Sequence, residues 1–93
     1  MIPKNVSTLE VIVVKKRYNL KNLKKEVEEV ILKIINEGKI KFEKKDFDSK
    51  NDALMFSFVI DDDINHNGRL EMGIEKIKEV ESVEIVDVKR IAG

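Results

Sequence analysis

The sequence contains no cysteine, tryptophan or glutamine, and it has only one proline and one tyrosine among its 93 residues. Without cysteine, the chain has no disulfide framework, no thiolate metal site and no cysteine nucleophile. No apolar stretch approaches the ~20 residues of a membrane-spanning helix. The first residues, Met1 to Asn5, lack the apolar region of a signal peptide, so we expect a cytoplasmic protein.

An excess of charge of one sign is also missing. The 18 Lys and Arg residues balance the 18 Asp and Glu residues, so global electrostatics favours neither nucleic acid nor membrane. Charged residues still make up 39% of the chain, and with few thermolabile side chains this indicates a heat-adapted protein. The length suits a single domain, 1–93, with one layer of helices on a sheet.

The residue patterns of common catalytic sites are absent. We find no paired carboxylates in an evident cleft, no Gly-rich phosphate loop and no Ser/His/Asp arrangement, so we expect no enzyme and no cofactor. His66 has no second histidine or cysteine beside it and is interpreted as a surface residue. The run from Asp63 to Gly68 resembles the start of a calcium loop, but Ile74 occupies the position of the bidentate carboxylate. We therefore expect no metal.

Periodicity predicts four strands and two helices. Leu9 to Val14 form a strand that is apolar on both faces and therefore central in the sheet. A helix capped by Asn19 and ended by Gly38 follows, with an apolar stripe at helical spacing. A charged edge strand begins near Ile40, and a hydrophobic strand covers Leu54 to Ile60. The second helix buries Leu70, Ile74, Ile77 and Val80, and the last strand begins at Val83.

The order β-α-β-β-α-β with right-handed crossovers predicts a ferredoxin-like α+β sandwich. Its four-stranded antiparallel sheet would have the order 4-1-3-2, with both helices on one face. A different mixed α+β pairing is the alternative. In the ferredoxin-like arrangement, the acidic loop from Asp61 to Gly68 and the C-terminus share one end of the sheet. The close of strand one, the start of helix one and the connector between strands two and three share the other.

Two surface features point to partners. A basic cluster without an intervening acid places cations near the start of helix one, where they oppose the helix dipole and indicate an anionic partner; a solvated face is the alternative. Its members are Lys15, Lys16, Arg17, Lys21, Lys24 and Lys25. The open sheet face is predicted to carry an apolar patch of Ile12, Val14, Met55 and Val59, with Val86 or Val88. Such a patch suits a homodimer or another protein. Because this face has no aromatic residue on which bases could stack, RNA is not expected as a partner.

From Leu54 onward, the sequence resembles the beta subunit of archaeal translation elongation factor one. The resemblance lies in a hydrophobic strand that ends in Asp61-Asp62-Asp63, the amphipathic helix after it, and the closing pattern from Val80 to Arg90. It implies the ferredoxin-like fold and a role in guanine-nucleotide exchange on the GTPase that delivers aminoacyl-tRNA. It also implies a docking end that includes Asp61, Asp62, Asp63, Lys89 and Arg90.

The chain departs from that family just before the third strand, and it also lacks the lysine that eukaryotic relatives have near the C-terminus. The family carries Pro-x-Ala-Phe-Gly just before the third strand, whereas the stretch from Phe47 to Asp52 has neither proline nor glycine. This sequence is therefore interpreted as a divergent member or a paralogue. The alternatives are a small-ligand regulatory module of the same topology, or a structural homodimer without exchange activity.

Overall fold

Six elements follow one another as strand, helix, strand, strand, helix, strand in the computed structural model, which describes residues 4–35, 38–61 and 68–91. They form one four-stranded antiparallel sheet of order β2-β3-β1-β4. This confirms the ferredoxin-like prediction, because 4-1-3-2 is the same order read from the other edge. The elements are β1 (Lys4–Val14), α1 (Leu20–Ile35), β2 (Lys41–Asp46), β3 (Asn51–Asp61), α2 (Arg69–Glu75) and β4 (Val80–Ile91).

The core lies between one face of the sheet and the two helices. Alternate residues of β1 and β3 are buried together with one stripe from each helix, and Phe56 is the largest side chain among those fully enclosed. Each such side chain contributes about 1.5–3 kcal/mol through its removal from water. Phe42 of the edge strand β2 extends the core, with its ring centroid 5.1 Å from that of Phe56. We call this side of the sheet the helix-covered face and the other side the open face.

Some element boundaries differ from those expected. β1 begins at Lys4 rather than Leu9, because its first residues pair with both β3 and β4 although Asn5 and Ser7 are polar. The second helix ends at Glu75, and Ile77 lies in the turn that follows it. Val80 was predicted to belong to this helix, but it is the first residue of β4.

Two bulges interrupt the pairing of β4 with β1. The register shifts between Thr8 and Leu9, where Val86 is the extra residue of β4. It shifts again between Ile12 and Val13, where Glu81 is the extra residue. Each bulge changes the face on which the following β4 residues lie. Residues 83 and 85 pack against the core, whereas residues 87, 89 and 91 pair with β1 residues of the open face.

Two glycines have positive φ angles. Gly68 precedes α2 as its N-cap residue with φ of 68°, in the left-handed region that glycine adopts without steric cost. Gly38 has φ of 125°. The residues that join Gly38 to the end of α1 at Ile35 are outside the described ranges, so its predicted role as a helix cap stays a prediction.

A third glycine, Gly73, lies on α2 where this helix packs closely against α1. A Cβ atom added at this position would lie 2.8 Å from Cγ1 of Val30 on α1. Atoms do not pack that closely, and Val30 is β-branched and therefore held in one rotamer by its own helix. Gly73 thus lets α2 lie against α1.

Replacing Gly73 with alanine is expected to destabilise the protein by about 1 kcal/mol. Overpacking against Val30 costs about 1–3 kcal/mol, and the better helix propensity of alanine offsets about 1 kcal/mol of it. Urea denaturation measures the difference. Met72→Ala on the same helix is the control, because Met72 is 58% exposed and its loss should change stability by less than about 0.5 kcal/mol. A Gly73→Ala variant more stable than the parent would contradict the close approach.

Candidate functional site

The end of β3 and the end of β4 lie on either side of the start of β1. Lys4 pairs with Asp61 on one side and with Ile91 on the other, so about 10 Å, two strand spacings, separates those two residues. Nζ of Lys4 lies 4.0 Å from Oδ1 of Asp61. We call this end of the sheet the Asp61 end. The structure thus brings the beginning of the acidic bend and the C-terminal part of β4 to one place, as the topology predicted.

The two cations predicted for docking lie on different faces of β4. Lys89 pairs with Val6 on the open face, which also carries Asp61. Arg90 pairs with Asn5 on the helix-covered face, and Asn5 in turn pairs with Ile60 of β3. Both side chains are exposed. One flat partner surface would therefore contact Lys89 and Arg90 together only across the edge or the tip of the sheet.

Part of the predicted site lies outside the described residues. Asp62 and Asp63 belong to the segment 62–67, which also contains His66 and most of the run that resembles a calcium loop. Gly68, the last residue of that run, is the N-cap residue of α2. Among residues 4–35, 38–61 and 68–91, no group of three or more acidic or histidine side chains is placed to hold a metal ion.

A groove next to Asp61 was not predicted from the sequence. β2 begins at Lys41, which pairs with Ser57, so the last four residues of β3 continue beyond the start of β2 and have no partner strand on that side among the described residues. The resulting open groove has a volume of about 770 Å³ and is lined by Lys4, Lys39 and Lys41 around the exposed Val59. The signal in the sequence was the unequal length of the two strands. The charged residues of β2 made its length difficult to determine from the apolar pattern.

The predicted basic cluster divides into two parts. Lys15 forms an ion pair with Asp46 of β2, and this hydrogen bond raises the pKa of the Lys15 ammonium group. Lys24 lies 3.9 Å from a carboxylate oxygen of Glu28 and 5.1 Å from the ring centroid of Phe42. The other four members are exposed, and no ion pair joins them to any described residue: Lys16, Arg17, Lys21 and Lys25.

The opposite end of the sheet is closed by a turn that uses a carboxylate in place of proline and glycine. Oδ1 of Asp48 accepts hydrogen bonds from the backbone N–H groups of Lys50, at 2.8 Å, and Asn51, at 2.7 Å. The N–H of Lys50 and the side-chain amide of Asn51 lower the pKa of Asp48, because they favour its ionised form. This turn leaves Phe47 with 53% of its surface exposed. We call this end of the sheet, opposite the Asp61 end, the Asp48 end.

A buried carboxylate lies near the same end. Asp52 is only 6% exposed, and its Oδ2 accepts a hydrogen bond of 2.8 Å from the hydroxyl of Tyr18, while Nζ of Lys44 lies 3.7 Å away. Partial burial and the hydrogen bond to the charged Asp52 raise the pKa of Tyr18 to about 12. The network fixes the segment between β1 and α1 against the start of β3.

The apolar patch predicted on the open face is not continuous. Ile12 is buried, and a hydrogen-bonded pair, Thr8 with Ser57 at 2.9 Å, separates it from the exposed Val59. Val88 pairs with Ser7 and therefore belongs to the helix-covered face. The patch was predicted wrongly, because polar residues of β1 and β3 pair with each other between the apolar ones.

Comparison with known families gives the geometry a context. A family model described as the EF-1 guanine nucleotide exchange domain matches residues 6–91, which is nearly the whole chain. The protein belongs to the EF-1 guanine nucleotide exchange domain family. The family supports a guanine nucleotide exchange role in translation elongation and an interaction with an elongation GTPase. The predicted resemblance is thereby confirmed at the level of the family. No curated protein matches the sequence significantly.

The match begins at Val6 and ends at Ile91, so it includes both strands that meet at the Asp61 end. It also includes the connector from Phe47 to Asp52. This EF-1 exchange domain thus closes that connector with the carboxylate of Asp48. Among its described residues, no helix is long and apolar enough to span a membrane.

The hydrogen bond from Tyr18 to Asp52 can be tested by replacing Tyr18 with phenylalanine. We expect a loss of about 1.5–3 kcal/mol at neutral pH, because a buried carboxylate loses one of its donors. The folded-state pKa of about 12 lies above the usual value of 10. This contribution is therefore full below pH 10 and is lost as the pH rises through 12.

Because Tyr18 is the only tyrosine and tryptophan is absent, tyrosinate absorbance reports this group alone. Chemical denaturation of the parent and of Tyr18→Phe across the alkaline range separates the contribution of Tyr18 from that of the lysines. A Tyr18 titration with an unshifted midpoint would contradict the buried hydrogen bond.

Proposed function

We propose that this protein promotes the exchange of GDP for GTP on the elongation GTPase that delivers aminoacyl-tRNA, and that it docks on this GTPase through its Asp61 end. The family match supports an exchange role in translation elongation. The observation that carries the choice of surface is the position of Lys4 between Asp61 and Ile91. Two segments that the family resemblance assigns to docking thereby lie at one end of the sheet.

The mechanism we infer involves no covalent chemistry by this chain. An exchange factor binds the nucleotide-free GTPase more tightly than the nucleotide-bound form, and this difference in affinity weakens nucleotide binding by the same factor. The exposed Lys89 and Arg90 are cations that can contact acidic groups which otherwise hold magnesium in the GTPase. Asp61 can contact basic groups there.

The groove beside β3 extends this surface. Lys39 and Lys41 border it on the side of β2, and Val59 provides an exposed apolar contact between them and Lys4. Interfaces commonly combine an apolar centre with a charged rim, and the groove has both. We further expect the protein to act in the cytoplasm, because the elongation GTPase works there.

The division of Lys89 and Arg90 between two faces makes the docking mode testable. Release of a fluorescent GDP analogue from the cognate elongation GTPase measures exchange for single Lys89→Ala and Arg90→Ala variants. If docking uses the open face, Lys89→Ala lowers stimulated release by about 10-fold or more, whereas Arg90→Ala has a much smaller effect. The converse result assigns docking to the helix-covered face.

Lys45→Ala is the matched control, because Lys45 is an exposed cation on the open face at the Asp48 end. Its ion pair with Glu43, at 4.0 Å on the surface, is expected to matter little for stability. Exchange should be unchanged in this variant. Docking through the Asp61 end is excluded if both Lys89→Ala and Arg90→Ala retain full exchange activity while Lys45→Ala loses it.

A further inference from the structure

The part of the basic cluster without internal partners forms a separate surface. Lys21 and Lys25 are four residues apart on α1, on the side opposite the buried Leu23 and Val27, so their Cβ atoms are about 6 Å apart. Lys16 and Arg17 lie in the turn that leads into this helix. We call these four residues the α1 basic ridge. It is located at the Asp48 end, away from the proposed docking surface.

The stability of α1 does not explain these cations. The first turn of α1 contains no acidic residue, although negative charge is favourable there and positive charge is unfavourable. The ion pair between Lys24 and Glu28 has the cation on the N-terminal side, which is the less favourable order. A helix arranged for its own stability would have the opposite distribution of charge.

The composition of the ridge indicates the chemistry of its partner. None of the large apolar side chains that are exposed lies in residues 15–26, and the nearest one on α1 is Leu32, seven residues beyond Lys25. Protein interfaces are depleted in lysine and depend on apolar and aromatic residues. Phosphate backbones are contacted mainly by lysine and arginine, without any need for apolar side chains.

We propose that the α1 basic ridge binds the phosphodiester backbone of RNA. The contact is independent of base sequence, because the open face has no aromatic side chain on which bases could stack: its central residues are Ile12, Met55, Ser57 and Val59. Since the ridge and the Asp61 end lie at opposite ends of the sheet, the protein can bind RNA and a GTPase at the same time.

The salt dependence of binding to bulk transfer RNA tests the proposal, with fluorescence anisotropy as the measurement. Four phosphate contacts predict an affinity that falls about 100-fold between ~50 mM and ~200 mM salt. The double variant Lys21→Gln, Lys25→Gln removes two contacts, so its affinity should fall only about 10-fold over the same range. The double variant Lys21→Arg, Lys25→Arg should bind like the parent.

The control is the double variant Lys33→Gln, Lys45→Gln, which has the same change of net charge at exposed positions outside the ridge and outside the proposed docking surface. It should retain the salt dependence of the parent. Thermal unfolding verifies that every variant is folded, and the Gln variant of the ridge should be at least as stable as the parent. In the Gln variant of the ridge, exchange on the GTPase without RNA should be unchanged, which separates this proposal from the proposed function.

Three results would overturn RNA binding by the ridge. The first is no binding of transfer RNA at ~50 mM salt. The second is an identical salt dependence for the parent and the Gln variant of the ridge. The third is a loss of GTPase binding in that variant with RNA binding unchanged, which would assign the ridge to a protein partner.

Discussion

The pairing of β1 with strands on both of its sides is the constraint on which the rest of the structure depends. β1 is the central strand that joins β3 to β4, and its Leu9, Val11 and Val13 are completely buried under the helices. Since both neighbours are antiparallel to β1, the ends of β3 and β4 necessarily meet at the start of β1. The proposed docking surface is thus a consequence of strand pairing, with no special loop required to form it.

The bulges of β4 refine this surface. Without the extra residue near Val86, the alternation along β4 would place Ile85 on the open face, where it could not contribute to the core. The bulge lets the first half of the strand cover the core while the second half presents Lys89 beside the residues of the open face. Core packing and the position of the exposed charges are therefore coupled through one irregularity of the backbone.

The connector between β2 and β3 shows how a family feature can change while the fold is retained. The expected proline and glycine are absent, and the side chain of Asp48 closes the turn by accepting two backbone N–H groups. The turn leaves the aromatic ring of Phe47 exposed. The Asp61 end, in contrast, depends on main-chain pairing and is insensitive to this replacement.

Prediction from the sequence succeeded where a regular pattern had one dominant cause. Leu54, Phe56 and Phe58 alternate with smaller or polar residues, and burial of one face of β3 is the cause. Prediction failed where the conformation of a residue is determined by the strands that pair with it. The beginning of β1 is a strand because both adjacent strands pair with it, and Val80 continues a helical spacing but enters the sheet. The groove beside β3 arises from the different lengths of two strands, which periodicity does not show.

The order of the elements, the apolar stripes and the cap at Asn19, which accepts a hydrogen bond of 3.0 Å from the N–H of Asn22, are local properties that residue spacing reveals. The distribution of charge is different, because an ion pair can join residues that are distant in the chain. Lys15 and Lys16 are neighbours, yet the first is neutralised by Asp46 across the sheet and the second is exposed. Which cations of a basic cluster are available to a partner is therefore a property of the folded chain.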